Sequence, residues 1–217
     1  MKKLVLLSLM SAFTSSASAA VVSLDFEGIS DQAPVGNFYN GGAGVNYGVE
    51  FSPDTLALID QDAGGIGNFA NEPSANTVMF FLNSQNAILN YSAGFDTGIS
   101  FFYSSSLTAS VNVYDDVNGG GNLLASLNLS PQNTNNCSGD PTGLYCNWSA
   151  VGVEFNGIAK SVNFGGTANR VGFDNITFGS STPVTSVPEP ETYAMLLAGL
   201  GLIGFSVRRR KASQEYA

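Results

Sequence analysis

Two acidic phrases bracket the middle of this chain. Leu24-Asp25-Phe26-Glu27-Gly28 stands near its start, and Phe173-Asp174-Asn175-Ile176-Thr177-Phe178 near its end. In an extended strand Asp25 and Glu27 have the same parity and share a face, which a common cation would require. A third acidic stretch, Asp60-Gln61-Asp62-Ala63-Gly64-Gly65, lacks the spacing and the closing glutamate of a helix-flanked calcium loop, so it reads as a surface loop. Asp115 and Asp116 are adjacent in a glycine-rich stretch. Glycosidase carboxylates must flank a bond roughly 5–10 Å apart. Neighbouring aspartates at a turn shape the turn instead. The 217 residues include no histidine. That removes the Ser-His-Asp triad, the commonest general base and the commonest transition-metal ligand together. No catalytic residue is assigned, and the chain is expected not to be an enzyme. Phe38, Tyr39 and Tyr47 lie in a Gly/Asn-rich segment and have faces that could stack on sugar rings. Trp148 is the single tryptophan, and in a sandwich it is expected in the core.

Charge is unevenly spread. Lys2 and Lys3 open the chain, Arg208 to Lys211 stand near its end, and only Lys160 and Arg170 lie between. Residues 21–187 hold 14 acidic and two basic residues, a balance of −12. Such a surface repels phosphate backbones, so nucleic acid is not a partner. It attracts cations, and Ca²⁺ suits carboxylate and carbonyl oxygens best.

The elements that position these residues are strands. Short apolar runs, bounded by Gly, Asn, Asp and Pro, predict strands at 22–26, 45–51, 56–59, 77–82, 87–91, 98–103, 109–114, 123–129, 148–155, 158–164 and 170–178. Val151, Val153 and Phe155 face one way; Leu123, Ala125, Leu127 and Leu129 alternate in the same manner. Residues 115–121 read as a hairpin loop. Eleven strands at this spacing predict an all-β fold, an antiparallel β-sandwich or jelly roll over 21–179. A domain of this size buries roughly 70% of its unfolded surface. Residues 180–187 are a Ser/Thr/Pro linker.

The ends are addresses. Residues 1–20 place two lysines before an apolar run and finish in small residues, the pattern of a cleaved signal peptide. At the other end, 16 uncharged residues, 192–207, would make a helix about 24 Å long, close to a ~30 Å hydrocarbon core. The basic cluster after it would stay cytoplasmic, with 212–217 as a cytoplasmic tail. In an exported chain the lone cysteines Cys137 and Cys146 are expected to form a disulfide.

Val187-Pro188-Glu189-Pro190, the short apolar helix and Arg208-Arg209-Arg210-Lys211 together resemble the PEP-CTERM sorting signal, over 188–211. The resemblance implies recognition of the Pro-Glu-Pro region by an exosortase-type membrane enzyme. It implies a Gram-negative host that makes exopolysaccharide, transient anchoring in the inner membrane, and delivery to the cell surface or matrix. The two acidic phrases are similar to those that bracket the β-sandwich of exported proteins with this tail and of carbohydrate-binding-module-like jelly rolls. That similarity implies a structural Ca²⁺ held by Asp25, Glu27 and Asp174. The expected role is structural or adhesive, with exopolysaccharide as a glycan partner. The competing expectation is a secreted hydrolase acting on matrix polysaccharide.

Overall fold

The computed structural model describes residues 21–134, 137 and 143–184. The expected signal peptide (1–20), the expected sorting motif with Val187–Pro190 and Arg208–Lys211, and the expected membrane helix lie outside the described residues. Among the described residues no helix is long and apolar enough to cross a membrane.

All eleven expected strands form. They are β1 (Val22–Leu24), β2 (Val49–Phe51), β3 (Thr55–Ile59), β4 (Thr77–Phe81), β5 (Asn86–Phe95), β6 (Gly98–Ser105), β7 (Ala109–Tyr114), β8 (Leu123–Leu129), β9 (Ser149–Glu154), β10 (Ala159–Gly165) and β11 (Val171–Phe178). One sheet runs β3-β4-β11-β6-β9, with β1 also on β11; the other runs β2-β5-β10-β7-β8. Every pairing between strands is antiparallel. The fold is therefore an all-β sandwich.

Burial alternates along β7, as it must for a strand with one face on the other sheet: Ala109, Val111 and Val113 are buried and Ser110, Asn112 and Tyr114 less so. Phe101, Phe164 and Phe173 are fully buried and meet edge to face, with ring centroids 4.9–5.7 Å apart. The cluster runs from Leu24 to Phe178, so residues 21–184 hold a complete core and fold as a unit that ends at Val184.

Three expectations are corrected in detail. The first strand stops at Leu24, because Phe26 takes a left-handed backbone (φ 62°), followed by Gly28 (φ 87°). The shared-face reading of Asp25 and Glu27 as strand residues therefore does not hold. In β8, a register shift opposite Val113–Tyr114 turns Leu123 outward, and Leu124 packs on the core in its place. An added residue flips every side chain beyond it to the other face. In β4 all five residues are buried, because the sheet is covered on both faces there. Phe69 bridges to Tyr145, Ala70 N donates to Tyr145 O, and Trp148 Nε1 donates to Ala70 O at 3.2 Å. This outer layer covers Val78 and Phe80, and around Val78, Phe80, Tyr145 and Trp148 it leaves a pocket of about 30 Å³. Trp148 is half-buried and crosses Gly172, where a Cβ would stand 3.2 Å from the indole.

Cys137 and Cys146 are disulfide-bonded with Cα atoms 5.1 Å apart, and Cys146 N donates to Thr134 O. Residues 180–184, expected as linker, lie against the sheet. Ser181 Oγ donates to Glu154 and Val184 N to Thr177 Oγ1, and a Cβ on Gly152 would collide with the Ser181 carbonyl.

Truncating the centre of the aromatic trio, Phe173→Ala, should cost about 3–5 kcal/mol of unfolding free energy in a urea titration. Replacing both cysteines by serine should cost about 2–3 kcal/mol in the same assay, the chain-entropy value for so short a loop.

Candidate functional site

The β11 strand changes neighbour along its length. Phe173 pairs with Met79 of β4, while Ile176–Phe178 pair with β1. The seam between the two partners falls at Asp174 and Asn175, where the register against β6 also shifts. Asn175 takes φ 48°, a left-handed conformation that asparagine tolerates better than most residues. It is fully buried, and neither polar atom of its side chain has a hydrogen-bond partner.

Asp174 is also fully buried. Its carboxylate accepts Ser74 N at 2.8 Å and Asn175 N at 2.7 Å, and Ser74 Oγ lies 2.8 Å from both of its oxygens. Glu27 reaches the same hydroxyl from the other side. Its Oε1 accepts the backbone N–H groups of Asn76 and Thr77 at 2.8 Å, and its Oε2 accepts Thr77 Oγ1 at 3.1 Å. Ser74 Oγ is further 3.1 Å from Asp25 O, 3.4 Å from Glu27 Oε1 and 3.4 Å from Thr77 O. Five acceptor oxygens thus surround a hydroxyl that has one proton to give.

The arrangement gathers Glu27 and Asp174 by their carboxylates but Asp25 by its carbonyl. The Asp25 carboxylate turns elsewhere: its Oδ1 accepts Glu27 N at 3.3 Å and the Tyr39 hydroxyl at 3.5 Å. Among the described residues no three acidic, cysteine or histidine side chains surround one point in a way that could hold a metal. Two carboxylates and two carbonyl oxygens do converge, and hard oxygen donors of this kind fit Ca²⁺ rather than a soft metal.

Burial pushes the Asp174 carboxyl up to about 7, opposed by the hydrogen bonds from Ser74 and Asn175 and reinforced by Glu27. Glu72 is also pushed up to about 7, by burial first and then by Asp60, Glu27 and Asp62.

A second feature adjoins this centre. Asp25, Glu27, Phe38, Tyr39 and Tyr47 are among the residues lining a cleft of about 410 Å³. Tyr39 is buried; its hydroxyl accepts Phe26 N at 2.7 Å, and burial and Asp25 push its pKa up, so it stays protonated. Tyr39 and Tyr47 stack with centroids 6.2 Å apart, and Phe38 meets Tyr39 edge-on at 4.9 Å. The Phe38 ring is held by Gly44, where a Cβ would stand 2.4 Å from it. The three aromatic rings singled out from sequence therefore come together, while Trp148 serves the outer layer.

The remaining acidic pairs are structural. Asp115 accepts Asn122 N at 2.6 Å and Asn122 Nδ2 at 2.8 Å, and Asp116 Oδ1 accepts Val117 N at 2.8 Å. Gln61–Ala63 form a single 3-10 turn closed by left-handed Gly64. Sequence reasoning missed Ser74 and Thr77; both sit among Pro, Ala and Asn, and only the fold brings them to Asp174.

Both raised carboxyls bind a proton in the folded state between about pH 4 and 7, where the unfolded chain has released it. Stability without metal should therefore fall as pH rises through that window. Thermal unfolding in chelator is expected to give a higher midpoint at pH 5 than at pH 8. Glu72→Gln should flatten the slope; an unchanged slope in that variant would remove Glu72 from the account.

Residues 186–211 match the family model described as the PEP-CTERM protein-sorting motif. No curated protein sequence matches the chain. Among solved structures, the cleaved K2 adhesin domain of Lys-gingipain is similar at a TM-score of 0.48 and 10% identity, covering 73% of this chain and 97% of that one. A family 29 carbohydrate-binding module is similar at 0.42 and 12%, covering 79% and 99%. A carbohydrate-binding module from Clostridium stercorarium, solved with cellobiose, is similar at 0.39 and 13%, covering 72% and 92%.

Proposed function

We infer from the PEP-CTERM sorting motif at 186–211 that the chain is exported, and secreted or displayed at the cell surface. We propose that an exosortase-type membrane enzyme processes the chain at Pro188–Pro190 while the segment 192–207 holds it in the inner membrane of a Gram-negative cell. The β-sandwich then acts in the exopolysaccharide matrix as a non-catalytic, glycan-binding structural protein. The observation that carries the glycan reading is the cleft beside the start of the domain, lined by the partly exposed Phe38 and Tyr47 and by Asp25. Aromatic faces stack on sugar rings, and carboxylates accept hydrogen bonds from vicinal hydroxyls.

A structural Ca²⁺ belongs to the same proposal. Asp174, Glu27 and the carbonyl oxygens of Asp25 and Thr77 would hold it, with Ser74 Oγ turning to join or vacate the centre. The ion would neutralise two carboxylates that one hydroxyl cannot serve, and it would pin the seam of β11 to the loop at 72–77.

The test uses purified residues 21–184 in co-sedimentation with the host's own exopolysaccharide, in calcium and in chelator. Saturable binding is expected in calcium, with a rise in thermal midpoint that Asp174→Asn abolishes. No binding in either buffer would overturn glycan recognition; a midpoint unmoved by calcium would overturn the ion.

A further inference from the structure

The cleft at the start of the domain has a charge pattern that selects among sugars. Its lining carries the Asp25 carboxylate and no basic residue; Glu27 also borders it, but the Glu27 carboxylate is turned to Asn76 and Thr77. The only two basic residues between 21 and 187 lie elsewhere, Lys160 on β10 and Arg170 at the start of β11. Phe38 and Tyr47 are partly exposed and line the cleft together with Asp25. Aromatic faces and carboxylates have one ligand chemistry in common. Both are attracted to a cation, the ring through its quadrupole and the carboxylate through its charge. A uronate or sulfated sugar would meet repulsion from Asp25 and gain nothing from the rings.

The walls are also built in advance of any ligand. Gly44 leaves no room for a Cβ beside Phe38, and the backbone there returns to the same segment, since Gly44 N donates to Phe38 O at 3.1 Å. Tyr47 N and Val49 N both donate to Tyr39 O, which sets Tyr47 against Tyr39. On the acidic side, Asp25 is held by Glu27 N and by the Tyr39 hydroxyl, and its charge is not matched by any of these partners. A preformed site pays less ordering entropy on binding.

From this we infer that the Asp25–Tyr47 cleft binds a sugar bearing a free primary amine, its ammonium seated between the Asp25 carboxylate and the rings of Phe38 and Tyr47. The inference rests on the glycan-binding reading and narrows it to amino sugars that are not N-acetylated.

Isothermal titration of residues 21–184, in calcium-containing buffer, tests it with four probes: a glucosamine oligomer, its N-acetylated counterpart, a neutral gluco-oligomer and an oligolysine peptide. The glucosamine oligomer should bind at least tenfold more tightly than the other three. Asp25→Asn should weaken it roughly tenfold. Tyr47→Leu, which keeps apolar bulk against the core but loses the ring, should do the same. Asp96→Asn, which removes an acid outside the cleft, should leave the affinity unchanged, and an unmoved thermal midpoint shows that each variant is folded. Equal or tighter binding of a neutral oligomer, sensitive to Tyr47→Leu, would overturn the amine and leave the glycan reading standing. Equal binding of oligolysine would overturn the sugar in favour of a protein partner. Affinity for the glucosamine oligomer that survives both cleft variants would overturn the cleft as its site.

Discussion

A carboxylate buried in a sandwich must be compensated on the spot, because moving its charge out of water is expensive. Asp174 is such a group, and its compensation organises one end of the domain. Ser74 supplies a backbone N–H and a hydroxyl from a loop a hundred residues away in sequence. Glu27 reaches in from the first strand's exit and is itself held by the N–H groups of Asn76 and Thr77. The start of the domain, the loop before β4 and the last strand are thereby tied at one point. The seam in β11 makes this possible: where β4 ends and β1 begins, the strand has no continuous neighbour, and the freed space holds a side-chain centre instead of a ladder.

From this centre the geometry passes outward. Phe26 is fully buried against Phe51 and Tyr39, although its backbone is left-handed, a conformation costly for an aromatic residue. The Tyr39 hydroxyl accepts its N–H and donates to Asp25, so one side chain settles both the strained turn and the orientation of the carboxylate. The aromatic cleft is the outer surface of the same construction. Its lining is positioned by contacts that the fold needs anyway.

The opposite face of the β4-containing sheet follows a different logic. Val78 and Phe80 would be exposed in a bare sandwich; the Phe69–Ala70 and Tyr145–Trp148 segments cover them, and the disulfide closes the loop that leads into the second segment. Trp148 lies close over Gly172 there.

The strands were legible because apolar runs and turn residues are local signals. The disulfide was legible because two cysteines have one pairing. The acidic phrases were legible as residues that meet, since the first and last strands pair. Parity failed at Asp25 and Glu27 because it presumes an extended backbone, and the left-handed Phe26 is imposed by the distant Tyr39 and Phe51. Parity failed again at Leu123, where the bulge depends on the partner strand. Ser74 and Thr77 carry no mark of their own in the chain. Element positions, export and charge balance come from local composition and periodicity. The buried centre, the seating of Tyr39 on Asp25 and Phe26, and the second layer over β4 come from contacts between separate segments, which only the packed structure selects.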